Sequence, residues 1–196
     1  MQPGASLDNA LPRTTDRLVL RRFVTGDLAP FQSYRCDPEV GRYQGWSTMD
    51  DAGAEAFIAR MAVVRIGVPG EWFQIAVAEK STGVLVGDIG IGLDRNRTGV
   101  AEIGFSMAPA AQRRGIGSEA VMAALALLFD SAMVEIVEGI TDARNIPSIR
   151  LLERVGMRLN RTQETLCKGE LCTEHVYAIA RSAADPLAGT GSSHPR

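Results

Sequence analysis

Apolar positions along this chain recur at one of two spacings, and each change of spacing marks the end of an element. Arg17-Leu18-Val19-Leu20-Arg21-Arg22-Phe23 alternates and predicts a strand. From Thr25-Gly26-Asp27 the spacing turns helical, with Leu28, Phe31 and Tyr34 on one face up to the break at Asp37-Pro38. Asp50 or Asp51 can cap a second helix that aligns Ala54, Phe57, Ile58, Met61 and Ala62. Residues 72–79 and 84–92 read as an antiparallel hairpin across Lys80-Ser81-Thr82-Gly83, and 100–107 as a third strand after a polar turn.

The helix predicted over 118–129 is apolar almost all round, through Ala120, Val121, Ala124, Leu125, Leu127, Leu128 and Phe129. Such a helix must be covered on more than one side, as when it packs on a sheet. A short strand at 134–139, a helix at 145–155 and a closing strand pair at 157–164 and 173–181 complete the pattern. Residues 1–12 and 182–196 are small, polar and proline-containing, and are expected as flexible tails around one domain at 13–181. Seven strands and about four helices, with hairpins preceding a βαβ unit, give a mixed α/β sheet fold.

Composition narrows the function classes. A chain of 196 residues suits one domain with a sizeable core. Its net charge of −2 provides no basic field for nucleic acid or an anionic membrane surface. No apolar run reaches spanning length, and the start, Met-Gln-Pro-Gly-Ala-Ser, lacks the charged and apolar regions of a leader, so a cytoplasmic location is expected. Cys36, Cys167 and Cys172 are scattered, with only His175 and His194 beside them. That spacing predicts no metal site, and three free thiols in a reducing compartment.

The chemistry concentrates in Gln112-Arg113-Arg114-Gly115-Ile116-Gly117, between the strand ending at Met107 and the apolar helix. Two glycines at a helix mouth allow a tight turn and close backbone approach. The unpaired first-turn N–H groups and the positive end of the helix dipole favour an anion there, with a phosphate the natural occupant. A dinucleotide fingerprint would put its third glycine at Ala120, a tolerated change, but no acidic ribose partner supports it. A Walker loop is excluded because Gly-Lys-Ser/Thr occurs nowhere. The second informative segment runs from Thr141 to Met157. There Asn145 suits a cap, Pro147 a first turn and Gly156 a C-terminal exit.

These two segments resemble a GCN5-related N-acetyltransferase (GNAT), in its RimJ/RimL-like branch. The glycine loop follows the family's Q/R-x-x-G-x-G/A pattern, after Ala101-Glu102-Ile103-Gly104-Phe105. Asn145-Ile146-Pro147-Ser148, Leu152 and Val155-Gly156-Met157 complete it, and Thr15-Asp16-Arg17-Leu18-Val19-Leu20-Arg21 fits the branch. The resemblance implies a twisted seven-stranded mixed sheet that opens between its fourth and fifth strands to take acetyl-CoA. Gln112, Arg113, Arg114, Gly115, Ile116, Gly117 and Ser118 would hold the pyrophosphate. Ser106 and Met107 would pair with the pantetheine arm, and Asn145 would hydrogen-bond it.

The implied reaction is direct acetyl transfer to a primary amine, either a protein N-terminus or a small molecule. Ser148 is the candidate acid for the thiolate, and Glu164 or Glu102 the base for the amine. Tyr43, Gln44 and Trp46 are candidates for the acceptor pocket. A homodimer is compatible with the branch, and the alternative on the same fold is a non-catalytic acyl-CoA sensor.

Overall fold

The computed structural model describes residues 7–181. Its strands are β1 (Arg13–Thr14), β2 (Leu18–Arg21), β3 (Trp72–Glu79), β4 (Leu85–Leu93), β5 (Val100–Met107), β6 (Ile136–Asp142), β7 (Arg158–Cys167) and β8 (Glu170–Ala180). Its α-helices are α1 (Leu28–Arg35), α2 (Pro38–Gly41), α3 (Asp51–Val63), α4 (Ile116–Asp130) and α5 (Ile146–Arg154). All strands join one sheet in the order β1-β2-β3-β4-β5-β6-β8-β7. Every neighbouring pair is antiparallel except β5 and β6.

The mixed sheet is the one expected, with one more strand. β1 has two residues, too few to show alternation, and exists only through pairing of Arg13 with Leu20 and Thr14 with Val19. The additional helix is the four-residue α2, where the Asp37 carboxylate accepts from the backbone N–H of Glu39 and Val40. The expected caps of longer helices are in place. Asp50 accepts from Gly53 N–H at 2.8 Å, and Asn145 accepts from Ser148 N–H at 3.3 Å.

Strand alternation assigns each helix to a face of the sheet. Met107, paired with Gly87, lies on the face covered by α4, where a β-carbon on Gly117 would meet both Leu151 and Met107. α5 covers the same face through Leu152, which packs on Gly139. The opposite face carries Asp88 and Ser106, a paired couple, and is covered by α1. Phe23, Phe31 and Phe57 join α1 to α3, with Phe31 stacked on Phe57 at 5.3 Å between centroids. Leu7 is 1 % exposed, so packing reaches upstream of residue 13. Residues 1–6 and 182–196 of the expected tails lie outside the described residues.

The parallel pairing of β5 with β6 is short. It covers Val100 with Ile136, Ala101 with Val137, and Glu102 with Glu138, and then stops. Beyond that point β5 stays with β4 as far as Met107, and β6 stays with β8 as far as Asp142. Each strand keeps one neighbour, and a split opens between them. In the seven-strand count this is the expected opening between the fourth and fifth strands.

The expectation of three free thiols is corrected. Cys167 and Cys172 form a disulfide across the β7–β8 turn, and Cys36 is the free, exposed cysteine. The hairpin register pairs Cys167 with Glu170 and Thr165 with Cys172, which sets the two Cα atoms 5.7 Å apart, within disulfide range. Only that register reveals the pair, because a five-residue separation in sequence carries no such signal.

Candidate active site

The loop between β5 and α4 is shaped by two left-handed residues. Gly115, the residue before α4, has φ of 76°, and Arg113 has φ of 58°. No side chain caps α4, so its first-turn N–H groups stay available to an external acceptor. The loop is braced from outside. Arg17 donates to the Arg114 carbonyl at 3.0 Å and to Glu119 at 2.6 Å, and Gln112 donates to the Met107 carbonyl at 3.0 Å. The glycines differ in purpose. A β-carbon on Gly115 would stand 3.4 Å from Arg17 and otherwise open, whereas one on Gly117 would come within 2.8 Å of Leu151. Gly117 therefore allows α5 to approach α4. Ser118 is buried, and Arg154 of α5 reaches its hydroxyl at 3.5 Å.

A cleft of ≈ 320 Å³ beside this loop is lined by Arg17, Lys80 and Arg114. Its cations are already engaged: Arg17 with Glu119, Arg114 with Glu79, and Lys80 with the Thr15 carbonyl. On this side the donors still open to an external anion are the backbone N–H groups of the helix mouth.

Backbone parity identifies which groups of β5 face the split. Ala108 N–H donates to Val86 on the β4 side, so alternate residues Phe105 and Met107 turn their N–H and C=O groups away from β4. Those are the groups that β6 would have paired, had it not diverged. Ser106, expected to share the pantetheine contacts, turns its backbone toward Asp88 instead.

The three candidate catalytic side chains do not converge on one face. Ser148 is partly buried in the first turn of α5. Glu102 occupies the last paired position before the split, on the α1 face, and helps line a cleft of ≈ 180 Å³ with Trp72, Gly92 and Arg97. Burial first, then the nearby carboxylates of Glu138 and Glu174, raise its carboxyl above the ordinary glutamate range. Glu164 pairs with Thr173, is exposed, and lies on the α4–α5 face. Tyr177 is spent structurally: its ring is buried and its hydroxyl donates to Glu153 at 3.2 Å.

The sequence gives little sign of the charged network beneath Glu102. Glu138 is 4 % exposed and receives Arg97 through two bonds, at 3.0 and 2.9 Å, and Arg161 at 2.9 Å. The Arg97 hydrogen bonds hold Glu138 below its usual range despite burial. Asp142, at the end of β6, is likewise lowered by Arg144, which donates at 2.9 and 2.7 Å. A lone acid between Val137 and Gly139 was the only available clue to Glu138. Asp142, Cys167 and Cys172 lie within 4.8 Å of one another, but the two sulfurs are bonded together and the carboxylate is held by Arg144.

The loop after α2 crosses from one side of the split to the other. Gln44 donates to the Phe105 carbonyl of β5 at 3.2 Å. Tyr43 offers its ring to Arg144, 5.8 Å from the centroid, and so meets the end of β6. Trp46 packs on Arg35 at 4.5 Å, with its indole N–H buried and without an acceptor. Lys168, in the β7–β8 turn, donates to the Gly41 carbonyl at 2.8 Å. All three sequence candidates for the acceptor pocket thus lie in one loop at the split.

Residues 17–158 match the acetyltransferase (GNAT) domain family. The chain belongs to that family. This GNAT chain is 26 % identical over 170 residues to the uncharacterized N-acetyltransferase p20 of Bacillus licheniformis, covering 85 % of this chain and 94 % of p20. Among solved structures it resembles RimJ of Mycobacterium smegmatis in complex with CoA-disulfide, at a TM-score of 0.71 and 18 % identity, covering 92 % of this chain and 96 % of that one. It also resembles the microcin C7 self-immunity acetyltransferase MccE in complex with acetyl-CoA and AMP, at a TM-score of 0.73 and 13 % identity, covering 92 % and 97 %. Family and relatives make this GNAT protein an N-acetyltransferase. Among the described residues no helix is long and apolar enough to cross a membrane.

Proposed function

We propose that this enzyme transfers an acetyl group from acetyl-CoA directly to a primary amine, in the manner of the RimJ/RimL-like branch. The observation that carries this reading is the three-pair ladder of β5 and β6. It leaves one opening through the sheet, with an uncapped helix mouth on one face and a half-buried carboxylate on the other.

The amides of 113–118 are suited to the pyrophosphate, and the strand-like groups of Phe105 and Met107 to the amides of the pantetheine arm. Asn145, which caps α5 by accepting from Ser148 N–H, is assigned to steady that arm. Acetyl-CoA supplies an activated acyl group, and the protein must deprotonate an ammonium and protonate a leaving thiolate. Glu102 is the better base. It stands at the apex of the split, shares its face with the Asp88–Arg35–Trp46 cluster that anchors the acceptor loop, and has a raised affinity for protons. Glu164, exposed on the other face, has none of these advantages. Ser148 belongs to the α5 side, where the thiolate would leave, and is assigned as its proton donor.

A thiol-release assay with acetyl-CoA tests this, run against N-terminal peptides and small amines in parallel. Release with one class of amine supports the reading and identifies the acceptor class. Tight binding of acetyl-CoA with no thiol released for any amine would instead identify a sensor.

A further inference from the structure

Two β5 carbonyls that face the split, those of Phe105 and Met107, are each held by a glutamine side chain. Gln112, in the glycine loop, donates to Met107 at 3.0 Å; Gln44 donates to Phe105 at 3.2 Å from 61 positions away. A backbone carbonyl turned away from its own sheet needs a donor, because leaving it unpaired and shielded from water is costly. Gln44 meets that need from the same loop that carries Tyr43 and Trp46.

An acyl-CoA arm laid along β5 as an extra strand requires the same acceptor, since its amide N–H would be directed at the carbonyls of Phe105 and Met107. We propose that Gln44 is an internal competitor for the arm: its side-chain amide mimics the arm's amide at the Phe105 carbonyl and must be displaced for full engagement. This rests on the acyltransferase reading above. The displaced amide leaves Gln44 with a free donor beside the reacting centre, and frees the loop between Tyr43 and Trp46 from its tie to β5. Cofactor engagement is thereby coupled to the acceptor loop.

Calorimetric titration of coenzyme A and of adenosine 3′,5′-bisphosphate, which lacks the pantetheine arm, tests the competition. Gln44→Met preserves the length of the side chain and removes its donor. It should bind coenzyme A about two- to tenfold more tightly than the wild type, the equivalent of one net hydrogen bond. Its affinity for the bisphosphate should be unchanged, which a merely structural effect on the loop would not produce selectively. Equal or weaker binding of coenzyme A by the variant overturns the proposal, as does tighter binding of both ligands. Wild-type protein that binds neither ligand overturns the cofactor reading itself and is thus distinguishable.

Should Gln44→Met fail to fold, Gln44→Leu carries the same expectation, because it also lacks the donor and adds no charge. On the unsubstituted protein, the side-chain NH₂ resonances of Gln44 should shift on adding coenzyme A and stay in place with the bisphosphate. Resonances unmoved by coenzyme A would overturn the proposal independently.

Discussion

Glu102 and Glu164 stand on opposite faces of the same sheet. Glu102 shares its face with Glu138 and, across β4 and β5, with Asp88; Glu164 shares its face with Thr173 and Tyr177. The cause is one residue. Leu159 pairs with Tyr177 but Arg161 with Val176, so Asn160 is an extra residue in β7 and every later side chain changes sides. Without that bulge Glu164 would face the same way as Glu102. With it, Arg161 occupies that face and reaches Glu138 instead.

The first prediction follows from that separation. Glu102→Gln should lower kcat by about 10²-fold or more, the usual scale for losing a general base, with little effect on the affinity for acetyl-CoA. Glu164→Gln should leave both nearly unchanged. Steady-state kinetics on the two variants decides between them, and a large loss in Glu164→Gln alone would reverse the assignment.

The same carboxyl predicts an opposite effect on stability. Because burial raises Glu102 in the folded protein, its contribution is fully present below the unfolded glutamate range and is lost as pH rises through the raised value. Glu102→Gln, neutral at every pH, should therefore melt higher than the wild type near pH 7, with the difference disappearing in acid. The wild-type rate should fall on acidification at a pH above the ordinary glutamate range, and that acid limb should be missing from the residual activity of the variant. Thermal melts and pH–rate profiles on the same pair of proteins test both signs.

Arg113 offers a separate test of the loop. Its φ of 58° is in the left-handed region, where a residue with a β-carbon is strained by roughly 1–2 kcal/mol. Arg113→Gly should recover about 1 kcal/mol of stability in urea unfolding, while weakening the binding of coenzyme A through loss of a cation at the helix mouth. Lower stability would mean that the arginine side chain contributes more to packing than its strain costs.

How far the sequence exposes the site depends on whether a residue's role is local. The loop from Gln112 to Gly117 is legible because a glycine pair, two arginines and an apolar helix are contiguous. The cap at Asn145 is legible for the same reason. The β7 bulge is not, since an extra Asn leaves no mark on a polar edge strand, and the faces of Glu164 and Arg161 depend on it. Gly117 could be read as room for a phosphate, when its neighbour is Leu151, a contact set by how two helices pack. Tyr34, Arg35 and Asp88 are ordinary in sequence and meet only through the tertiary fold.

That last trio should dominate the stability of the α1 face. Asp88 is 2 % exposed and takes Arg35 at 2.7 Å and the Tyr34 hydroxyl at 2.6 Å. Asp88→Ala strands a buried guanidinium and should cost about 3–5 kcal/mol. Removing both charges, as Arg35→Met with Asp88→Ala, should cost far less than the sum of the two single changes. Urea denaturation of the double-mutant cycle measures this, and simple additivity would show that the ion pair carries no coupling.

The disulfide predicts the final outcome. Cys167 and Cys172 close a short loop at the end of the β7–β8 hairpin, for which loop-closure entropy alone gives about 2 kcal/mol. Reduction, or Cys172→Ala, should lower the melting temperature, and the folded protein should present only Cys36 to a thiol reagent until reductant is added. The consequence should extend to the acceptor loop, because Lys168 lies inside the closed turn and holds the Gly41 carbonyl. Loosening the turn removes that tie while leaving the glycine loop untouched, so KM for the amine should rise without any weakening of coenzyme A binding. Parallel changes in both constants would mean that the hairpin supports the whole split rather than its acceptor side. Three reactive thiols in the folded, non-reduced protein would show that the bond does not form.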